Sequence, residues 1–178
     1  MSRDDRMRHV RTSNDDEWMT APYVLDEMLD TFVPLESRGS TVIWEPFLGD
    51  GGSVAYMRDK GCMVVAEDRD FFEYEAVPPN VTMVMTNPPF TQKKRVLARL
   101  CELGVPFVLI LPINCLPSLW LRKVRDNYSD IGFFIPARQI HFMKDGEIKK
   151  KTPFHCIYLT RFFYTSWGNP WLPPPPAE

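Results

Sequence analysis

The segment Thr86-Asn87-Pro88-Pro89-Phe90 combines residue types that could hold a planar amine. Its two prolines stiffen the backbone and lack N–H donors, so the Asn87 side chain and the Pro88 carbonyl remain as acceptors. The Phe90 ring can stack on a planar substrate. Two acceptors directed at the N–H bonds of an aromatic amine favour a more tetrahedral nitrogen and hold it in line with an electrophile. We therefore predict that Asn87, Pro88, Pro89 and Phe90 form a catalytic loop.

The second candidate site is a glycine-rich loop between an apolar run and a helix-like stretch. Its sequence is Glu45-Pro46-Phe47-Leu48-Gly49-Asp50-Gly51-Gly52. Glycines allow the backbone to pass close to a ligand, and a following helix start offers free N–H groups. The loop lacks the lysine of a nucleoside-triphosphate loop and the glycine pattern of a dinucleotide loop. Glu45 would suit a cationic amino group and would repel a pyrophosphate.

Acidic residues follow the next apolar run, where the strands of an open α/β sheet end and ligands bind. Glu67, Asp68 and Asp70 come directly after residues 62–66. A carboxylate in this position can accept hydrogen bonds from ribose hydroxyls. The three residues compete for that role, and a helix cap is the alternative use of such a side chain.

Short apolar runs alternate with helix-like segments. Strands are predicted at residues 41–44, 62–66, 81–85, 107–111, 131–135 and 155–163, and helices at 24–32, 53–60, 91–103 and 116–127. Continuous apolar strands separated by helices indicate a parallel sheet covered on both faces. The last two strands have no long helix between them, so we expect an antiparallel hairpin joined by residues 144–152. The pattern predicts an α/β fold.

Composition indicates one soluble globular domain. Of 178 residues, 44 % are apolar and 25 % are charged, and no apolar run is long enough to cross a bilayer. The N-terminus lacks the apolar stretch of a signal peptide, so we expect an intracellular, cytoplasmic protein. The four cysteines are expected to be reduced core thiols and not metal ligands. We expect a flexible segment at 1–16, one domain at 17–167 and a proline-rich tail at 168–178.

Taken together, the motifs resemble those of the DNA N6-adenine methyltransferases of the phage and prophage type. In that family an Asp/Glu-Pro-Phe-x-Gly-x-Gly loop binds S-adenosyl-L-methionine, and Asn-Pro-Pro-Tyr/Phe is the catalytic motif. Residues 45–51 match the first motif and residues 87–90 the second, and the resemblance spans residues 17–163. It implies a Rossmann-like class I methyltransferase fold with a mostly parallel seven-stranded sheet and an antiparallel C-terminal hairpin. It also implies methyl transfer to N6 of adenine in DNA, without a metal.

The resemblance assigns roles to individual residues. Asp68 would hold the ribose of the cofactor, and Glu73 and Glu75 are the candidates for contact with its adenine. The strand before the catalytic loop departs from the family, because residues 82–85 lack the aspartate that relatives often carry. The residues that match the family's cofactor motifs are Thr20, Pro22, Tyr23, Glu45, Pro46, Phe47, Gly49, Asp50, Gly51, Asp68 and Asn87.

The spacing of the motifs leaves no room for an inserted recognition domain. Target recognition is therefore expected from loops, from a partner subunit or from a homodimer, and no membrane partner is expected. The formal net charge is −2, but basic residues form clusters, including Arg122-Lys123 with Arg125. A basic cluster is more often a solvated face than a binding site. The candidates for contact with a nucleic-acid backbone are Lys93, Lys94, Arg95, Lys149, Lys150 and Lys151.

Several alternatives remain open. Enzymes that methylate glutamine in proteins, cytosine N4 or adenine in RNA use the same kind of loop, since each presents a planar amide or amine. The basic clusters favour nucleic acid over protein, and DNA over RNA rests on the resemblance. A non-catalytic methyltransferase-fold subunit that only holds nucleic acid is a further alternative, against which both loops are intact. An NAD-dependent enzyme is disfavoured because the dinucleotide glycine pattern is absent.

Overall fold

The computed structural model describes residues 18–144, 146–149 and 154–163. The strands are β1 (Met19–Thr20), β2 (Val42–Trp44), β3 (Met63–Val65), β4 (Met83–Thr86), β5 (Phe107–Pro112), β6 (Ile131–Phe134), β7 (Phe142–Lys144), β8 (Glu147–Lys149) and β9 (Cys156–Arg161). The helices are α1 (Pro22–Phe32), α2 (Gly52–Asp59), α3 (Lys93–Leu103) and α4 (Leu119–Asn127). The segments expected at 1–16 and 168–178 lie outside the described residues.

The main sheet has the strand order β3-β2-β4-β5-β9-β6. The first four strands are parallel to one another, and β9 is antiparallel to both β5 and β6. A second, three-stranded antiparallel sheet has the order β1-β7-β8. The carboxyl ends of β2, β3 and β4 therefore meet at one edge of the main sheet, where ligands bind in open α/β sheets.

Apolar side chains alternate between the two faces of the main sheet, as the period of a strand requires. One face packs against α1 and α2, and its strand residues include Ile43, Met83, Met85, Val108 and Ile110. The other face packs against α3 and α4, and its strand residues include Trp44, Val84, Phe107, Leu109 and Leu111. Both faces of the central strands are thus covered, which explains why their sequences are continuously apolar.

Local sequence signals place the ends of the helices. Pro22 is the first residue of α1, a position where its missing N–H costs no hydrogen bond. Gly104 ends α3 with a left-handed backbone, at a φ of 70°, which glycine adopts without strain. Buried residues of α3 recur at Val96, Leu97 and Leu100, one face of a helix.

The α/β class, the mostly parallel sheet and the antiparallel C-terminal pairing are confirmed. Two details differ from the expectation. The main sheet has six strands in the described part of the chain, one fewer than predicted. The segment 144–152 was expected as a loop, but its described residues, 144 and 146–149, belong to a hairpin in which β7 and β8 pair around a turn at Gly146, whose φ is 76°.

The four cysteines, Cys62, Cys101, Cys115 and Cys156, are buried free thiols, as expected. Burial raises the pKa of Cys101 and of Cys115 to about 11. No helix in the described ranges is long and apolar enough to cross a membrane.

A largely buried ion pair joins the end of β9 to the loop before β6. Arg161 Nε donates to Asp130 Oδ2 at 2.9 Å, and the two side chains are 10 % and 16 % exposed. Arg161 also donates to the Cys101 carbonyl at 2.8 Å, and its guanidinium lies 4.6 Å from the centre of the Tyr128 ring. The arginine therefore ties α3, α4 and the antiparallel edge together.

Replacing Asp130 with alanine leaves the Arg161 charge buried without its carboxylate. We expect Asp130→Ala to lower the free energy of unfolding by about 3 kcal/mol, measured by urea denaturation. The matched control is Glu102→Ala, which breaks the ion pair between Arg99 and Glu102, whose side chains are more exposed than those of Arg161 and Asp130. This variant should lower the free energy of unfolding by less than about 0.5 kcal/mol. Equal effects of the two variants would contradict this assignment.

Candidate active site

The predicted catalytic loop begins directly at the end of β4. All four residues of β4 are buried, and the strand lies between β2 and β5 near the middle of the sheet. Pro88 is buried, whereas Asn87 and Phe90 are half-buried. The loop is thus presented at the carboxyl edge by a strand that is fixed from both sides.

The two ends of the Asn87 amide have different surroundings. Its Nδ2 donates to the Trp18 carbonyl at 3.0 Å. Its Oδ1 is buried and has no hydrogen-bond partner among the described residues. A buried acceptor without a partner is costly, and a ligand that supplied a donor to Asn87 Oδ1 would remove that cost.

Phe90 is held by both its ring and its carbonyl. The ring centre lies 5.4 Å from that of Phe154 and 6.0 Å from that of Phe142, both in edge-to-face arrangements. Lys93 Nζ donates to the Phe90 carbonyl at 2.8 Å. Lys93, expected as a contact with the nucleic-acid backbone, therefore makes a hydrogen bond to the predicted catalytic loop.

Glu45 connects the glycine-rich loop to the catalytic loop. It is 4 % exposed, and its Oε1 accepts from the Phe47 N–H at 3.0 Å and from the Thr86 hydroxyl. Burial raises the pKa of Glu45 to about 8, although the hydrogen bonds from Thr86 and Phe47 oppose that rise. Glu45, which is expected to contact a cation, thus also connects the glycine-rich loop with the predicted catalytic loop. Its raised pKa means that its carboxyl group is largely protonated at neutral pH.

The glycine-rich loop needs glycine at two positions. Gly49 has a φ of 57°, and a Cβ there would lie 3.0 Å from the Met19 sulfur. Gly51 has a φ of 80° and precedes the first turn of α2. Asp50 Oδ1 accepts from the Gly52 N–H at 2.8 Å. The loop therefore passes close to β1 and leads into a helix N-terminus, as expected for a ligand loop.

The acids after β3 have different partners. Glu67 Oε2 accepts from the Tyr74 hydroxyl at 2.9 Å, and Asp70 Oδ1 caps the helical turn Phe71–Glu73 by accepting from the Phe72 N–H at 2.9 Å. Asp68 is exposed at the same strand end. The structure thus gives Glu67 and Asp70 roles within the fold. Glu75, together with Glu67 and Tyr74, lines a surface depression of about 350 Å³.

Thr20, Pro22 and Tyr23, which match a cofactor motif of the family, lie in two elements, β1 and α1. Thr20 is buried in β1 and pairs with Phe142. The Tyr23 hydroxyl donates to the Gln139 carbonyl at 3.0 Å and accepts from the His141 N–H at 2.7 Å. Tyr23 therefore joins α1 to the segment before β7, and Pro22, the first residue of α1, is exposed.

The remaining basic candidates are dispersed. Arg95 stacks over the Phe72 ring at 3.6 Å, Lys94 Nζ lies 6.0 Å from the centre of the Trp120 ring, and Lys149 pairs with Glu147 at 2.8 Å. Lys150 and Lys151 lie outside the described residues. The sequence did not predict the roles of the Trp18 carbonyl and the Thr86 hydroxyl. A side chain that contacts a main-chain carbonyl 69 residues away leaves no pattern in the sequence, and neither does a threonine at a strand end.

The main sheet, with the antiparallel strand β9 between β5 and β6, belongs to a chain that shares the fold of solved methyltransferases. A Pyrococcus horikoshii protein assigned as an RNA methyltransferase is similar, with a TM-score of 0.51 and 13 % identity over 78 % of this chain and 82 % of that one. A dimethyladenosine transferase from Plasmodium falciparum has a TM-score of 0.51 and 10 % identity, over 80 % of this chain and 62 % of that one. A Haemophilus influenzae protein assigned as a methylase has a TM-score of 0.50 and 11 % identity, over 79 % of this chain and 97 % of that one. The sequence matches no protein-family model and no curated protein.

The buried carboxyl of Glu45 makes stability depend on pH. Between its ordinary pKa of 4.5 and its pKa of about 8 in the fold, the folded chain holds a proton that the unfolded chain releases. Stability is therefore highest below that window and falls as pH rises through it, by at most about 1.4 kcal/mol per pH unit. We expect Glu45→Gln to gain stability relative to wild type between about pH 5 and pH 8 in urea unfolding. Parallel stability profiles of the two proteins would show that Glu45 is not protonated in the fold.

Proposed function

We propose that this chain is an S-adenosylmethionine-dependent methyltransferase that modifies N6 of adenine in nucleic acid, with DNA as the favoured substrate. The observation that carries the proposal is the buried, unpartnered Asn87 Oδ1, at a strand end beside a glycine-rich loop. A planar amine would supply the N–H donor that this acceptor lacks. The similar fold of a dimethyladenosine transferase supports adenine as the base.

The residues at the strand ends fit S-adenosylmethionine. The loop passes close to β1, since a Cβ at Gly49 would lie 3.0 Å from the Met19 sulfur, and α2 begins directly behind it. Glu45 at the end of β2 and Asp68 at the end of β3 are assigned to the cationic portion and to the ribose respectively, and a bound cation would favour the charged form of Glu45. When bound, the cofactor supplies an electrophilic methyl group on a positively charged sulfur.

The catalytic loop then acts by positioning. Asn87 Oδ1 and the Pro88 carbonyl accept hydrogen bonds from the target amino group, while Phe90 stacks on the base. The base must leave its stack or come from a single strand to reach this loop. The amino nitrogen gives up one proton when the new bond forms. Neither acceptor is a base at neutral pH, so water takes that proton.

Adenine in RNA is the second candidate substrate. It is favoured by the similarity in fold to the Pyrococcus horikoshii protein assigned as an RNA methyltransferase. The proposed site recognises the amino group and the plane of the base, and both are common to DNA and RNA. Transfer of a labelled methyl group to DNA, RNA and protein pools, followed by analysis of the modified nucleosides, distinguishes the substrates.

Removing the Asn87 side chain should abolish transfer and spare the cofactor site. We expect Asn87→Ala to reduce methyl transfer by at least about 100-fold, because a directed transition-state contact is lost. Its affinity for S-adenosylmethionine, measured by calorimetry, should remain within a few-fold of wild type. Tight cofactor binding with undiminished activity in Asn87→Ala would refute the catalytic role. If wild type itself binds no cofactor, the chain is instead a non-catalytic subunit.

Lys94 is the exposed basic residue of α3 nearest the catalytic loop, and we propose that it contacts a phosphate. Lys94→Ala should weaken oligonucleotide binding and reduce the slope of log K against log salt by about 1, measured by fluorescence anisotropy. The matched control is Arg58→Ala, an exposed residue of α2 on the opposite face of the sheet, which should leave the slope unchanged. Equal slopes for Lys94→Ala and wild type would exclude this contact.

A further inference from the structure

The orientation of the Asn87 amide is set by a group outside the catalytic loop. Nδ2 donates to the Trp18 carbonyl at 3.0 Å, which leaves Oδ1 as the end without a partner in the described chain. We propose that the Trp18 carbonyl is a positioning group that directs Asn87 Oδ1 towards the substrate, and that the sheet β1-β7-β8 holds this carbonyl in place. The inference rests on the proposed function of the catalytic loop.

The small sheet fixes Trp18 through both its backbone and its ring. The residues after it pair with β7, as Met19 lies opposite Met143 and Thr20 opposite Phe142. The Trp18 ring meets Phe142 edge to face at 6.4 Å, and Lys144 Nζ lies 5.4 Å from its centre. Phe142 also contacts Phe90. The same strand therefore supports both the amide and the stacking ring of the catalytic loop.

A reversed amide would lose on both sides. Turning the Asn87 side chain over would bring Oδ1 against the Trp18 carbonyl, so two acceptors would face each other at hydrogen-bond distance. It would also direct Nδ2, a donor, at the N–H bonds of the substrate. The contact with Trp18 thus selects the productive orientation before the substrate arrives, which is a form of preorganisation.

Asparagine and aspartate are consequently not equivalent at position 87. A carboxylate is at least as good an acceptor for the substrate, but it has no N–H to donate to Trp18. A protonated carboxyl group restores the pattern, because its O–H can donate to the Trp18 carbonyl while its C=O accepts from the substrate. Partial burial and the facing carbonyl both favour the neutral form, so the pKa of an aspartate here would be raised.

The decisive variant is therefore Asn87→Asp. The ratio of its kcat to that of wild type should rise by about tenfold or more as pH falls from 8 to 6, with little change in the KM for cofactor. Three charged groups contact the segments around Asn87. Glu45 accepts from Thr86, Lys93 donates to the Phe90 carbonyl, and Lys144 lies over the Trp18 ring. They are present in both proteins, so their own titration largely cancels in the ratio.

A second measurement needs neither cofactor nor substrate. If the pKa of the introduced aspartate is raised, the folded variant binds more protons than the unfolded chain, and its stability falls as pH rises through that pKa. The Tm of Asn87→Asp should therefore approach that of wild type at pH 6 and fall below it at pH 8. Asn87→Ala has no titratable group at this position, and its difference in Tm from wild type should not change with pH.

The possible outcomes separate the two proposals. A pH-independent kcat ratio, whether near wild type or near zero, together with a pH-independent difference in Tm, would overturn the role of Trp18. If wild type methylates no nucleic acid, the proposed function fails, yet the Tm measurement still tests the contact. Trp18→Ala provides a further check, with a lower kcat and unchanged cofactor affinity expected and Trp18→Phe closer to wild type, because a positioning contact affects the chemical step.

Discussion

The candidate site depends on the hydrogen bonds that the buried carboxyl group of Glu45 accepts. Glu45 lies at the end of β2, and its Oε1 accepts from Phe47 in the glycine-rich loop and from Thr86 at the end of β4. Two loops that are distant in sequence are thereby held by one side chain. Because the carboxyl is buried, its neutral form is favoured and its pKa is raised to about 8. A cationic ligand bound beside the glycine-rich loop would favour the charged form of Glu45, so binding of that ligand and loss of the proton from Glu45 are linked.

The catalytic loop is restrained at its other points by contacts that its own sequence does not contain. The Trp18 carbonyl holds the Asn87 amide, and Lys93 holds the Phe90 carbonyl. The prolines between them remove backbone freedom. A loop restrained in this way loses little entropy when a substrate binds, and this suits a reaction in which the protein contributes geometry and not a strong base.

Much of the fold, and the position of the two motifs at strand ends, could be predicted from the sequence. Continuous apolar strands separated by amphipathic helices specify a covered parallel sheet, and the Glu45 and Asn87 motifs occur at strand ends, where ligands bind. The small sheet could not be predicted, because β1 has two residues and pairs with a strand more than 120 positions away. The contacts of Lys93 and Arg95 could not be predicted either, since a run of basic residues does not reveal which partner each side chain has.

The contacts that Lys93 and Arg95 make within the fold limit how the proposed substrate could be held. Lys93 donates to the Phe90 carbonyl and Arg95 stacks on Phe72, while Lys94 and Arg95 are both exposed. With a net charge of −2, long-range attraction to phosphates is weak. Affinity would then have to come from short-range contacts at the base, where Phe90, which packs against Phe142 and Phe154, follows Asn87 in the loop. Such a site discriminates by the shape of the base and the donors that it carries, and an unstacked adenine meets both requirements at lower cost than a paired one.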